Sequence, residues 1–185
     1  MQNSHVNASL ELVGTAKMNY NESGDFQTDL DRFKGKSDTF MNDIHTLRDA
    51  NKADACVLLI DNASSCGLAA EIWATDESQA FVVVHHDCAK NNLSLAHELG
   101  HIFGARHNLL VDPTLSPFVD GHCHLSTTDN WRTVMAYPTI ANPVRLPYWS
   151  NPDVKINGEP TGILGKENNA RVLNLTLEDI SKFRQ

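Results

Sequence analysis

A chain of 185 residues, 41% apolar and 21% charged, has the size and composition of one globular domain. It is long enough to bury a core without depending on disulfides or metal for all its stability. The 15 Lys and Arg against 23 Asp and Glu give a formal charge of -8, the wrong sign for a nucleic-acid partner, which must be met by cations. The longest apolar runs, Ala55–Ile60 and Ala80–Val84, fall far short of the roughly 20 residues of a membrane span.

The start, Met1 followed by polar Gln2-Asn3-Ser4, is not a signal peptide. It fits a trimmed or mature form, and a cytosolic protein would look the same. Leu10–Met18 (LELVGTAKM) reads as a strand with a glycine interruption, and Asn19–Asp25 as a polar turn. Phe40, Met41, Ile44 and Leu47 recur at helical spacing, so a helix is expected over Ser37–Ala50, with Ser37 as its cap. The continuous run Cys56–Ile60 has the pattern of a buried strand. Asp61–Gly67 is a loop, and Leu68–Trp73 and Phe81–Val84 are two further strands joined by Thr75–Gln79. The spacing predicts a helix over Ser94–Phe103, capped by Asn92 or Ser94 and stopped by Gly104. Residues 108–160 hold all seven prolines and show little periodicity, a stretch that must be functional or pinned. A last helix starts near Lys166 with the stripe Ala170, Leu173, Leu177, Ile180 and Phe183.

None of the four cysteines stands in CxxC spacing. Cys56 reads as a small buried hydrophobe, Cys66 and Cys88 flank the two strands in a way compatible with a disulfide, and Cys123 is unassigned.

The chemistry lies in HELGHIFGARH, residues 97–107. His97 and His101, four apart on a helix, present their imidazoles on one face about 6 Å apart along the axis. Glu98 points elsewhere, free to hold a water rather than the metal. Gly104 permits a sharp turn that returns His107 as a third ligand. Three protein ligands leave a coordination position for water, the mark of a catalytic zinc site. Glu98 is then the catalytic base and proton carrier. HExxH alone arises by chance on many helices; HExxHxxGxxH is far more specific.

This extended motif resembles that of the metzincin metallopeptidases, whose methionine-bearing turn beneath the metal is matched here by Thr133-Val134-Met135-Ala136-Tyr137. The resemblance implies that Met135 packs below the imidazoles without bonding zinc. It also implies that Tyr137 can reach the metal or the oxyanion, against the plainer reading of a buried tyrosine with a partnered hydroxyl. The chain is also similar to the bacterial peptidyl-Asp metallopeptidases, in LELVGTAKMNYNESGDFQTDL, NNLSLAHELGHIFGARHN, WRTVMAY, and SNP followed by NNARVLN. That likeness implies secretion and cleavage on the N-terminal side of Asp. It further implies an α/β metzincin-like zincin catalytic domain: a twisted mixed sheet, an active-site helix and a C-terminal helix. Metzincin domains also begin with a strand and a long helix ahead of the segment matching Leu10; only nine residues precede it here, so exposed apolar surface is expected.

An enzyme preferring Asp after the scissile bond needs a cation in that pocket, and in metzincins the pocket wall follows the methionine turn. Arg145 is the first candidate for the substrate pocket and Arg132 the second, although a solvated arginine is the commoner role for each. His122 and His124 flank Cys123 and can bind a second metal, but lining the cleft or surface is the simpler reading. His85 and His86 read as ordinary. Asp61, Asp87 and Asp112 are too scattered for a calcium site. The five N-x-Ser/Thr triplets, at Asn7, Asn21, Asn62, Asn92 and Asn174, read as chance in a bacterial protein. The expectation is therefore a monomeric, secreted, Zn2+-dependent endopeptidase in one domain over 1–185. Its substrate is a protein or peptide paired along an edge strand, Phe81–Val84 or Leu68–Trp73, with no nucleic-acid or membrane partner. The rivals are a zinc-containing binding or toxin module without proteolytic activity, and a metallohydrolase acting on something other than protein.

Overall fold

The computed structural model describes residues 1–138 and 142–184. The fold is mixed α/β, and the chain divides into two compact units. One consists of Leu10–Ile102 with the last residues from Glu178; the other consists of Met1–Ser9 with Phe103–Leu177.

The Leu10–Ile102 unit carries the main sheet. Helix α1 (Phe26–Lys34) begins where the Asp25 carboxylate accepts the Thr28 N–H at 2.8 Å. Phe26, Leu30 and Phe33, spaced for one helix face, are buried. Helix α2 covers only Asp43–Ala50, not Ser37–Ala50. Thr39 and Met41 have φ of 72° and 37°, a left-handed backbone that a helix cannot include. Strands β1 (Cys56–Ile60), β2 (Gly67–Ala69) and β3 (Phe81–His85) form a mixed sheet in the order β1-β3-β2. β3 runs parallel to β1 and antiparallel to β2.

Cys56, Leu58 and Ile60 of β1 join Phe81 and Val83 of β3 in a core with Phe26, Leu30, Phe33 and Met41. All five residues of β3 are buried, as a central strand requires. It follows that Phe81–Val84 offers no free edge, and the edge expected there belongs instead to β2. The expected strand Leu68–Trp73 ends at Ala69, because the chain leaves the sheet and Trp73 turns at φ 71°. A short helix α3 (His86–Asn91) follows β3, and α4 (Ser94–Ile102) packs against β2, β3 and α3. The Cys66–Cys88 disulfide is formed, and Cys56 and Cys123 are buried free thiols.

The strand expected at Leu10–Met18 is not formed. The segment has no ladder partner among the described residues, and Leu10, Leu12 and Val13 are exposed. On β1, Val57 and Leu59 alternate outward and are exposed as well.

In the unit containing Phe103–Leu177, regular structure is sparse before the last helix. The strands are two-residue pairs: β4 (Trp131–Arg132) parallel to β5 (Val144–Arg145), and β6 (Lys155–Ile156) antiparallel to β7 (Glu159–Pro160). Buried side chains take over the backbone groups that ladders would otherwise satisfy. Ser150 Oγ donates to the His122 carbonyl at 2.7 Å and accepts the Asn169 N–H at 2.8 Å. Asn169 Nδ2 donates to the Gly121 carbonyl at 2.7 Å, and Asn151 Nδ2 to the Ser4 carbonyl at 2.9 Å. Helix α5 spans Asn169–Ile180, three residues later than its expected start at Lys166, with Ala170, Leu173 and Ile180 buried as its stripe requires.

Candidate metal centre

Helix α4 places its polar residues against expectation for a surface helix: His97, Glu98 and His101 are all buried. Burying polar side chains costs free energy that partners must offset, and these three lie together within one turn and a half of a single helix. The imidazoles of His97 and His101 stand 4.9 Å apart between centroids, at 88°. The end of the helix is pinned by the chain that leaves β2. Trp73 N–H donates to the His101 carbonyl at 2.7 Å, and Ala74 N–H to the Ile102 carbonyl at 2.8 Å.

Gly104 has φ +91°, and a Cβ there would lie 3.0 Å from the Phe118 ring. The turn it permits carries the chain back to His107. One ligand atom from each of His97, His101 and His107 falls within 4.8 Å of the others.

His107 is held by its surroundings in its own unit. Its carbonyl lies 2.7 Å from His122 Nδ1, and its ring meets Tyr137 edge-on at 4.6 Å and 85°. Asn108 Oδ1 accepts the Tyr137 N–H at 3.0 Å. Desolvation pulls the His107 pKa down to about 4. Asp112 opposes that shift, while the positive charges of Arg145 and Arg106 reinforce it. The imidazole is therefore neutral at neutral pH, the form that donates to a metal. Three converging imidazoles, one of them held neutral by burial, fit a divalent ion of the zinc class.

Glu98 sits against a glycine that sequence reasoning passed over as the end of a loop. A Cβ on Gly67 would come within 2.5 Å of Glu98 Oε1 and 2.6 Å of its Cγ. Any side chain at 67 would displace the Glu98 carboxylate. Nothing local marks this glycine, because the close approach is tertiary.

Met135 is fully buried in a turn closed by the Ala136 N–H to the Thr133 carbonyl at 3.1 Å. Tyr137 is 42% exposed, which removes the reading of a buried tyrosine. Of the two arginine candidates, Arg132 is committed: its guanidinium donates to the Pro143 carbonyl at 3.1 Å and to the Ala136 carbonyl. Arg145 lies partly buried on β5, and its charge is felt at His107. His122 and His124 do not line a surface, for both are buried. His124 Nδ1 lies 2.6 Å from Glu167 Oε2, and its Nε2 lies 3.5 Å from Glu159 Oε1. Its role is in the packing of this loop-rich unit.

Three converging imidazoles, with a buried carboxylate next in sequence to the first of them, would equip a metal-dependent hydrolase. Comparison with known proteins narrows that class. Residues 1–150 match the model of metallo-peptidase family M12. A peptidyl-Asp metalloendopeptidase of Stenotrophomonas maltophilia (strain R551-3) is 46% identical over 185 aligned positions, covering 98% of this chain and 44% of that protein. One from Pseudomonas fragi is 34% identical over 179 positions, covering 96% of this chain and 94% of its own length. A chain in a solved structure of a chaperone-substrate complex aligns with a TM-score of 0.60 at 21% identity. It covers 83% of this chain and 24% of that one, a likeness of fold alone. The chain belongs to metallopeptidase family M12, and it spans less than half the length of the first curated relatives it matches. A metallopeptidase needs a catalytic metal and takes a protein or peptide substrate. Among the described residues, no helix is long and apolar enough to cross a membrane.

Proposed function

We propose that this chain is the catalytic domain of a secreted, monomeric zinc endopeptidase of the metzincin type, cutting peptide bonds on the N-terminal side of Asp. The observation that carries the reading is the convergence of the His97, His101 and His107 ring nitrogens, with Glu98 buried on the same helix as the first two. His97, His101 and His107 would hold the ion, with Met135 packed beneath them and Gly104 making the turn. Zinc, when bound, supplies Lewis acidity that acidifies water and polarises the scissile carbonyl. Glu98 takes a proton from the attacking water on its carboxylate and delivers it to the leaving amine. Tyr137 would donate its phenol O–H to the developing oxyanion, a role that its exposure and its edge-on ring contact with His107 support. Strand β2, an edge of the sheet, offers the backbone along which an extended substrate can pair. A non-catalytic zinc module would have no use for a buried carboxylate at position 98.

The preference for Asp rests on the names of the relatives and on Arg145, whose positive charge acts on His107. Digestion of a mixed peptide library by the wild type and by Arg145→Ala tests both. Cuts concentrated before Asp in the wild type, with Asp no longer favoured over Ala in the variant, are expected. No cleavage of any peptide would remove the peptidase reading, and an unchanged preference in the variant would remove Arg145 from it.

A further inference from the structure

A second group of metal donors gathers where β1 and β3 end. The two strands run parallel with Ile60 opposite His85, so the next residues, Asp61 and His86, leave the sheet side by side. His86 Nε2 lies 3.2 Å from Asp61 Oδ1, and His86 Nδ1 lies 3.3 Å from Asp87 Oδ1. The rings of His85 and His86 stand 4.7 Å apart. One ligand atom from each of His85, His86 and Asp87 falls within 4.8 Å of the others. His85 is only 9% exposed, and its buried Nδ1 has no hydrogen-bond partner among the described residues. A buried ring nitrogen left so is a donor awaiting a ligand.

The backbone around this group is fixed from both sides. Glu22 accepts the N–H of Asp61 at 2.7 Å and that of Asn62 at 2.8 Å, clamping the loop after β1. The Cys66 carbonyl accepts the His85 N–H at 3.1 Å, and Cys66 is bonded to Cys88, the residue after Asp87. The donors therefore need only side-chain adjustment to meet one ion.

We infer that His85, His86 and Asp87 form a second divalent-metal site of the zinc class, separate from the three-histidine centre. Two imidazoles favour a borderline transition metal over calcium or magnesium, which take oxygen ligands. His86 faces Asp87 through Nδ1 and Asp61 through Nε2, so an ion shared with Asp87 takes Nδ1, while Asp61 accepts from the nitrogen on the far side of the ring and orients it. Asp61, just past the end of β1, thereby holds a ligand just past the end of β3, in the same place where the disulfide ties the loop to α3.

The test is zinc stoichiometry, read by mass spectrometry of the metal after the chain is stripped with chelator and re-equilibrated in buffered zinc. The wild type is expected to take two zinc ions per chain. His86→Ala is expected to take one and to keep its peptidase activity, since His86 is half exposed and outside the catalytic group. Asp61→Asn, at an almost fully exposed position, is expected to weaken binding of the second zinc at least tenfold. A wild type that takes a single zinc, or a His86→Ala variant that still takes two, overturns the site. Neither result bears on the three-histidine centre, whose loss would be read separately as loss of hydrolysis.

Discussion

The two histidine clusters of this chain differ in what surrounds them. At His97, His101 and His107, the first two rings are buried on a helix against the sheet, and desolvation holds the third neutral. At His85, His86 and Asp87, two of the three side chains are open to solvent and carboxylates stand alongside. On the proposed reading, the buried cluster would leave a coordination position for chemistry, and the exposed one, with a carboxylate among its donors, would hold an ion away from the reaction. The difference teaches that the environment, more than the count of histidines, separates a reaction centre from a cross-link.

That contrast can be broken most sharply at Gly67. If the buried centre depends on the position of Glu98, Gly67→Ala should lower kcat by about 10–100-fold, the size of loss that follows a misplacement near 1 Å. Zinc content should stay unchanged, because the ligands do not touch residue 67. Steady-state kinetics with metal analysis reads both, and an unaltered kcat would show that the Glu98 carboxylate is not held in place by the absence of a side chain there.

A smaller effect lies in the acid stability of the metal-free chain. His107 titrates near 4 in the folded state against an ordinary 6.5, so between those values the unfolded chain binds more protons. Stability therefore falls as pH drops from about 6.5 to about 4 and levels off below. Thermal midpoints of chelated wild type should fall more steeply across that window than those of His107→Asn. Parallel curves would mean that His107 is not desolvated.

Much of the buried centre was legible in the sequence because it is local. His97, Glu98 and His101 lie on one helix whose period is visible, and Gly104 announces the turn to His107. The strands at Cys56–Ile60 and Phe81–His85 were legible from uninterrupted apolar runs. Helix α1 was missed although Asp25, Phe26, Leu30 and Phe33 carry a cap and a stripe, since the segment follows a polar turn that drew the eye away. Leu10–Met18 misled in the other direction, because an apolar alternation makes a strand only when another strand lies beside it. Gly67 and the Asp61–His86 pair were illegible because tertiary contact creates each, helix α4 against β2 in the first and the parallel register of β1 and β3 in the second, bringing together residues far apart in the chain. The stretch 108–160 reads from sequence only as functional or pinned, because the pins, Ser150, Asn151 and Asn169, are single polar residues with no periodic signal.

The most direct measurement compares casein hydrolysis and zinc content in the wild type and Glu98→Gln. Zinc bound equally by both, with hydrolysis in the variant down by about 10³-fold or more, is what a carboxylate acting as proton carrier requires. Equal hydrolysis by both proteins would contradict it and take the base assignment away.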